Sequence, residues 1–208
     1  MRSGNGFASV SRMWGRRRQY SGIRLNVEGA DFCLREPGWR DYHSWHRARS
    51  QSRDALVPFE PSWRADALSR TTFRTLLHNA RTVRERDLGV NLFLVALETE
   101  DVIGGINVSN IRRGVAQMAN IGYWMSSEYS GAGRMTRAVR RVCEFGFDGL
   151  NLHRIEAACV PENAASAAVL LANGFEEEGF ARDYLRINGR WRDHRLFAIV
   201  RRDSESAS

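Results

Sequence analysis

A glycine-rich stretch, Ser130-Gly131-Ala132-Gly133-Arg134-Met135-Thr136, stands directly before a segment whose apolar residues recur with helical spacing. The apolar positions lie three or four residues apart, which predicts one buried helix face: Met135, Ala138, Val139, Val142 and Phe145. The N-terminus of a helix carries about half a positive charge, and glycines before it let backbone N–H groups point outward. Residues 130–136 are therefore predicted to bind an anion, most often a phosphate.

Two familiar phosphate motifs do not fit this stretch. No Gly-Lys-Ser/Thr follows it, so it is not a Walker loop. It also lacks the third glycine and the later acidic residue of the dinucleotide-binding fingerprint. Taken alone, the glycines would suit a tight turn with room for close packing equally well. The rest of the chain has to decide between these two interpretations.

The composition is that of one globular domain with a large positive charge. The chain has 208 residues, of which 43% are hydrophobic and 26% charged, and no run approaches the roughly 18 apolar residues of a membrane span. We therefore expect no membrane association. The net charge is +7, and all 31 lysine-plus-arginine positions are arginine. Arginine pairs with phosphate and carboxylate as a planar fork, so the excess indicates either an anionic partner or a compositional habit of the organism.

The three cysteines, Cys33, Cys143 and Cys159, give no sign of a cross-linked or metal-bound structure. Their number is odd and no CxxC is present, so neither a disulfide framework nor a zinc site is indicated. No histidine pair has metal-ligand spacing either, and we expect no metal. Cysteines that stay reduced are typical of a reducing compartment, and we expect the protein to be cytoplasmic.

Both ends of the chain differ from the part between them. Residues 1–22 contain five arginines, and no acidic residue precedes Glu28. A secretory signal needs an apolar core, which this stretch lacks. We expect a disordered basic tail or an over-long start of the reading frame, with an organelle transit peptide as the alternative. Residues 201–208 are expected to form a polar C-terminal tail, which leaves 23–200 as the domain.

The spacing of apolar residues and breakers predicts a mixed α/β (α+β) domain. Strands are predicted at 23–34 (as one strand or two short ones), 90–97, 102–110, 116–125, 154–160, 180–187 and 191–200. Helices are predicted at 39–52, 66–88, 134–149 and 164–171. A strand–helix–strand unit requires parallel neighbours. We therefore expect a mixed central sheet of about seven strands, flanked by helices.

Four local signals refine this outline. Asp66 or Ser69 is expected to cap the helix over 66–88. The pair Gly104-Gly105 indicates a bulge or a close approach of backbone. Pro58 and Pro61 exclude a regular helix or strand over residues 56–63. Asn188-Gly189 predicts a tight hairpin turn.

The element order and two motifs resemble the GNAT superfamily of acyl-CoA-dependent N-acetyltransferases. The superfamily's phosphate loop, Gln/Arg-x-x-Gly-x-Gly/Ala, corresponds to Ser130–Met135, where Gly133 matches, Ser130 replaces Gln/Arg and Met135 replaces the small residue. Its Asn-x-x-Ser motif corresponds to Asn163-Ala164-Ala165-Ser166, and Asn173-Gly174-Phe175 follows as expected.

Within the superfamily, the chain looks like the Rim group of ribosomal-protein-alanine N-acetyltransferases, and most like RimJ-type enzymes. The similarity rests on these stretches: Val108-Ser109-Asn110 followed by Arg113-Gly114, Gly122-Tyr123, the phosphate loop, and the blocks at 179–185 and 188–194. The Phe59-Glu60-Pro61 loop also fits. The resemblance covers roughly residues 23–200 and omits the basic N-terminus.

The resemblance implies acetyl-CoA as co-substrate and a V-shaped splay between the fourth and fifth strands. The pyrophosphate is then expected on the N–H groups of 131–136, with added charge from Arg134. The pantetheine arm is expected to pair with backbone near Trp124 and Met125. Asn163 is expected to hydrogen-bond that arm. The full expected set is Trp124, Met125, Ser130, Gly131, Ala132, Gly133, Arg134, Met135, Thr136, Asn163 and Ser166.

The resemblance also implies two catalytic residues. Ser166 would protonate or hydrogen-bond the leaving thiolate; its alternative is an ordinary serine in the first turn of a helix. Asp183 would be the base, acting through water or with a pKa raised by burial, because an aspartate is much more acidic than an α-ammonium. Its alternative is a structural ion pair. His153, His194 and Tyr184 are weaker candidates.

Three functions compete. The first is an N-terminal acetyltransferase acting on a protein with an N-terminal alanine, such as a ribosomal protein, with the basic tail contacting rRNA. The second is a GNAT enzyme for a small amine, which would call for an acidic acceptor groove. The third is an RNA-binding module, although no RRM, KH or OB signature is present. A monomer and a dimer are both compatible with the sequence.

Overall fold

An eight-stranded mixed sheet forms the centre of the computed structural model, which describes residues 22–201. The strands are β1 (Arg24–Asn26), β2 (Phe32–Arg35), β3 (Val90–Ala96), β4 (Val102–Arg112), β5 (Met118–Met125), β6 (Arg154–Cys159), β7 (Glu176–Ile187) and β8 (Arg190–Val200). Their order across the sheet is β1-β2-β3-β4-β5-β6-β8-β7. The expected tails, 1–22 and 201–208, lie almost wholly outside the described residues.

Five α-helices accompany the sheet in the described part of the chain. They are α1 (Tyr42–Gln51), α2 (Arg53–Leu56), α3 (Arg70–Glu85), α4 (Arg134–Glu144) and α5 (Ala164–Leu171). Short 3-10 turns cover Trp39–Asp41, Val57–Phe59 and Ser127–Tyr129, and a π-helical turn covers Phe145–Gly149. The predicted α/β class is confirmed, and the helix over 164–171 has the predicted bounds.

Helices cover both faces of the sheet. Because successive residues of a strand point to opposite faces, one strand contributes side chains to the core on each side. Along β3, Leu92 and Leu94 belong to a large core with the apolar face of α4 and with α5, whereas Phe93 and Val95 join a second cluster with α1 and α3. In the second cluster the ring centroids of Phe73 and Phe93 are 6.5 Å apart. Each fully buried aliphatic or aromatic side chain contributes about 1.5–3 kcal/mol, so these two cores hold the layers together.

Some predicted details differ from the structure for local reasons. A turn with Gly29 at φ 63° divides residues 23–34 into two short strands, which is one of the two alternatives predicted there, and the sheet of about seven strands therefore has eight. The segment 56–63 was expected to lack regular structure, but it continues α2 into a 3-10 turn. Pro58 lies in the first turn there, where its missing N–H costs nothing. Helix α4 is shorter than predicted and ends in the π-helical turn.

Other local predictions are confirmed. Ser69 caps α3, since its side chain accepts a hydrogen bond from the Thr72 N–H at 3.1 Å. A Cβ at Gly104 would lie 2.8 Å from the backbone carbonyl oxygen of Trp124, which is the close backbone approach expected there. Asn188 and Gly189 both have positive φ, 43° and 80°, as a tight hairpin turn requires.

The most important feature for function is the divergence of the parallel neighbours β5 and β6. They pair only at three positions, from Met118 opposite Arg154 to Asn120 opposite Glu156. Beyond Asn120, β6 keeps β8 as its partner and β5 keeps β4. The second half of β5 therefore turns an edge without a strand partner toward a cleft, as the predicted splay requires.

Candidate active site

The cleft between the separated ends of β5 and β6 has a volume of about 720 Å³. The turn before α4 and the first residues of α4 close one end of it. Residues of β5, β6 and α5 also line it, together with residues of the 55–60 segment and of the β7–β8 hairpin. One continuous space thus joins the predicted phosphate loop to the predicted catalytic serine.

The glycines of the predicted phosphate loop are needed for its backbone conformation and not for close packing. Gly131 and Gly133 have φ values of 82° and 68°, a region that costs other residues about 1–3 kcal/mol. Nothing lies within 4 Å of a Cβ added at either position, so a need for close packing does not explain them. Gly133 stands at the N-cap of α4, whose first N–H groups have no partner within the helix. The open N–H groups at this end of the cleft could hold an anion.

Arg134 reaches this end of the cleft already paired. Its guanidinium donates to the Asp31 carboxylate from Nε at 2.9 Å and from Nη2 at 2.5 Å. It also lies 5.6 Å from the centre of the Tyr129 ring. The hydrogen bond from Arg134 lowers the pKa of Asp31, so this carboxylate remains charged at neutral pH. An arriving phosphate would share the guanidinium with Asp31.

The Asn163 motif brings a serine and a buried tyrosine together. Asn163 Oδ1 accepts the Ser166 N–H at 3.0 Å and caps α5. Ser166 Oγ lies 2.9 Å from the Tyr123 hydroxyl, which also donates to the Ser166 carbonyl at 3.1 Å. Burial raises the pKa of Tyr123, so the phenol stays protonated and can donate. The two hydroxyls form a proton-donating pair within the cleft.

The structure brings most of the predicted residues to this one cleft. Those that line it are Trp124, Met125, Ser130, Gly131, Gly133, Arg134, Met135, Thr136, Asn163 and Ser166. Two predicted residues do not line it, Ala132 and Asp183. The pairing of β7 with β8 shifts register between Ala181 and Leu185, and Asp183 lies in that irregular stretch with φ 47°. Asp183 is exposed there, with its N–H donating to Asp193 at 2.9 Å.

The pattern of the Acetyltransferase (GNAT) domain family matches residues 31–176 of this chain. The chain belongs to the GNAT acetyltransferases. It is therefore an acetyl-CoA-dependent N-acetyltransferase, and its mixed sheet has the GNAT fold.

Similar proteins agree with this membership. The chain is 29% identical over 195 residues to the ribosomal protein uS5-alanine N-acetyltransferase of Escherichia coli, covering 92% of this chain and 97% of that protein. The crystal structure of ribosomal-protein-S5-alanine acetyltransferase from Vibrio fischeri matches with a TM-score of 0.80 and 31% identity, covering 88% and 100% of the two chains. Mycobacterium smegmatis RimJ, in complex with CoA-disulfide, matches with a TM-score of 0.78 and 32% identity, covering 86% of each.

Sequence reasoning gave too little weight to one histidine of this GNAT domain. His194 is 3% exposed, lines the cleft, and has its Nδ1 2.9 Å from the Arg192 carbonyl oxygen. Its charged neighbours in sequence suggested a structural role. The period of two along β8 is the signal that places His194 on the opposite face from Asp193 and Arg195.

A second group that the sequence did not reveal holds the 55–60 segment of the GNAT cleft in place. The Arg49 guanidinium donates to both oxygens of Glu60, at 2.9 and 2.5 Å, and Trp63 Nε1 donates to the same carboxylate at 2.8 Å. The guanidinium carbon also lies 4.5 Å from the Trp63 ring centre and 4.9 Å from that of Trp124. The Glu60 carbonyl accepts the Asn188 N–H at 2.8 Å. We call Arg49, Glu60, Trp63 and Trp124 the arginine clamp.

Neither metal ligands nor membrane helices stand out in residues 22–201. No group of three or more His, Cys, Asp or Glu side chains in this range could hold a metal ion. No helix in the same range is both long enough and apolar enough to cross a bilayer. The cysteines are free and buried; burial raises the pKa of Cys143 to about 12 and also raises that of Cys159, which lines the cleft.

Proposed function

We propose that this GNAT enzyme transfers the acetyl group of acetyl-CoA to the N-terminal α-amino group of a protein. An N-terminal alanine of a ribosomal protein is the acceptor to test first. The observation that carries the proposal is one cleft, which is lined by the open N-terminus of α4, by the Ser166–Tyr123 hydroxyl pair, and by the 55–60 segment and the β7–β8 hairpin, which we propose as the acceptor end. The reaction would take place in the cytoplasm, in a monomer or a dimer.

The cofactor is proposed to follow the cleft from the phosphate loop inward. Its pyrophosphate would lie on the N–H groups of 131–136, with Ser130 and Arg134 beside it. The pantetheine arm would pair with the unpartnered edge of β5 at Trp124 and Met125. The Asn163 carbonyl oxygen is used in capping α5, which leaves its amide NH₂ to donate to the arm.

The transfer itself is proposed to be direct, in a ternary complex. The neutral amine nitrogen forms a bond to the acetyl carbon, the C–S bond breaks, and the leaving thiolate receives a proton from the Ser166–Tyr123 pair. A backbone N–H of β5 would stabilise the oxyanion. An α-amino group has a reference pKa of about 8, so a useful fraction is neutral at physiological pH. Asp183, the base expected from the resemblance, is exposed and would act through water.

The acceptor end of the cleft favours a protein N-terminus over a polyamine. It is bordered by apolar side chains of the 55–60 segment and the β7–β8 hairpin, among them Leu56, Phe59 and Leu185. Glu60 is the one carboxylate among the residues that line the cleft, and Arg49 already neutralises it. A polycationic acceptor needs several free carboxylates. An N-terminal alanine presents one amine beside a small apolar side chain.

A thiol-release assay with a panel of acceptors tests this proposal. The panel holds peptides with N-terminal Ala, Ser or Met, the same peptides blocked at the N-terminus, and several polyamines. CoA release with free Ala or Ser peptides, and none with the blocked ones, is the expected result. Release only with polyamines or other small amines would replace the acceptor class while leaving the enzyme class unchanged.

The arginine-rich residues 1–22 are proposed to contact rRNA and bring the enzyme to its acceptor. Deletion of residues 2–21 should then slow acetylation of a ribosome-bound acceptor and leave acetylation of a free peptide unchanged. The loss should shrink as salt is raised, because phosphate contacts are screened. An equal effect on ribosome and peptide would argue against the contact.

A further inference from the structure

His194 is the imidazole that the fold places inside the cleft. It lies on β8 opposite Ala181 of β7, is 3% exposed, and lines the same space as Ser166. Its neighbour on β8, Arg195, pairs with Cys159 at the end of β6, where the sheet opens. A buried imidazole that lines a reaction cleft is a candidate for a chemical role as well as for a packing role.

The contacts of His194 leave one ring nitrogen free to accept a proton. Nδ1 lies 2.9 Å from the Arg192 carbonyl oxygen, which can only accept, so Nδ1 carries the hydrogen and donates. Nε2 then holds a lone pair in the neutral ring. The Tyr184 ring packs edge-on against the imidazole, with ring centroids 5.6 Å apart, and restrains its plane.

The charged groups around His194 are mostly neutralised by partners. On its own strand, Arg192 pairs with Glu162 at 2.9 Å and Arg195 with Glu177 at 2.6 Å. Asp193 accepts the backbone N–H of Asp183 from β7. Tyr184 of β7 packs against the imidazole. The cleft that His194 lines also contains Cys159, Tyr123 and Glu60, and Glu60 is held in the arginine clamp.

We propose that Nε2 of His194 accepts the proton that the acceptor amine loses when it attacks acetyl-CoA. The nitrogen forms its bond to the acetyl carbon, its extra proton moves to Nε2, the C–S bond breaks, and the thiolate takes a proton from the Ser166–Tyr123 pair. The imidazolium then releases its proton to solvent, and the Ser166–Tyr123 pair takes up a proton from solvent to replace the one given to the thiolate. The inference rests on the proposed acetyl transfer and names the base for it. Exposed Asp183 is the competing base.

A pH profile of kcat/KM distinguishes the two bases. Protonation of the acceptor amine alone lowers kcat/KM about tenfold per pH unit below the pKa of the amine. With a histidine base, kcat/KM of the wild type should fall about a hundredfold per pH unit once the imidazole is also protonated. His194→Gln should lower kcat/KM about 100-fold or more at neutral pH, reduce the steep limb to a single ionisation, and leave the acetyl-CoA Kd unchanged.

His78→Gln is the matched control, because it makes the same change at an exposed histidine of α3 outside the cleft. It should keep both the rate and the steep limb. A single ionisation throughout in the wild type would overturn the inference, even if His194→Gln fails to fold. A second ionisation in the carboxylate range that disappears in Asp183→Asn would assign the base to Asp183 instead.

The test separates this inference from the proposed acceptor. The profiles are measured with whichever amine of the panel the wild type acetylates, so a small-amine acceptor would overturn the proposed function while the role of His194 is still decided. If His194→Gln keeps the wild-type rate and slope with that amine, the histidine inference is wrong and the proposed function stands. No transfer to any amine overturns both.

Discussion

The two ends of the cleft are built in different ways. The cofactor end consists of neighbours in sequence: Gly131 and Gly133 set the backbone of one loop, and Asn163 caps a helix three residues before Ser166. The acceptor end consists of side chains from distant segments, with Arg49 of α1 held against Glu60 and Trp124. In the proposed arrangement, the cofactor shared by the family would be bound largely by backbone, whereas the part that selects the acceptor would depend on side chains.

The sharpest test of the cofactor end is Gly133→Glu. The substitution places a negative charge in the phosphate loop and forces a side chain onto a backbone with φ 68°. We expect acetyl-CoA affinity to fall by at least about 100-fold in a calorimetric titration. Gly114→Glu is the control, because Gly114 has φ 66° and equally open surroundings but lies outside the cleft. Equal Kd values in the two variants would refute the loop assignment.

The middle of the cleft is tested by Ser166→Ala and Tyr123→Phe, each of which removes one hydroxyl of the pair. We expect kcat to fall about 100-fold for Ser166→Ala, and about tenfold for Tyr123→Phe, which removes both contacts of the phenol hydroxyl with Ser166. Acetyl-CoA affinity should change little in either. Because burial raises the pKa of Tyr123, its ionisation should not appear in the basic limb of the wild-type kcat profile. If kcat is unchanged and only thermal stability falls, the pair is structural.

Glu60→Gln tests the acceptor end. It removes the charge that holds Arg49 between two indole rings, at side chains only 14% and 21% exposed. We expect the acceptor KM to rise about tenfold and the free energy of unfolding to fall by about 1–3 kcal/mol, with acetyl-CoA affinity unchanged. Glu85→Gln breaks a pair with Arg81 that is 53% and 74% exposed, and serves as control. A weaker acetyl-CoA affinity in Glu60→Gln would contradict the proposal that the two ends of the cleft bind cofactor and acceptor separately.

The smallest expected effect is that of Asp31→Asn, which frees Arg134 from its carboxylate partner. We expect acetyl-CoA to bind about two- to threefold more tightly at neutral pH, since the pair is exposed and screened. Arg134 lowers the pKa of Asp31, so the wild-type carboxylate stays charged until well into the acid range. The difference in Kd should vanish as the pH falls through that lowered pKa. A difference that persists in acid would mean that Asp31 does not act through its charge.

The sequence was sufficient for features that depend on near neighbours. Helix spacing predicted α4, the Asn-Gly pair predicted the β7–β8 turn, and Ser69 was one of two expected caps; all three follow from contacts within a few residues. The family motifs added the splay between β5 and β6. The sequence left open whether residues 23–34 form one strand or two, because a single turn at Gly29 divides a stretch whose alternation continues on both sides.

Only the tertiary structure decided which distant side chains meet. Tyr123 and Ser166 are 43 residues apart, and their 2.9 Å contact depends on how α5 packs over the separated strands. The turn of Asp183 away from the cleft depends on a register shift that no local pattern announces. His194 looked like one polar residue in a charged run, and pairing with two neighbouring strands buried it. Local patterns specify elements, whereas register and packing specify which faces of those elements share a site.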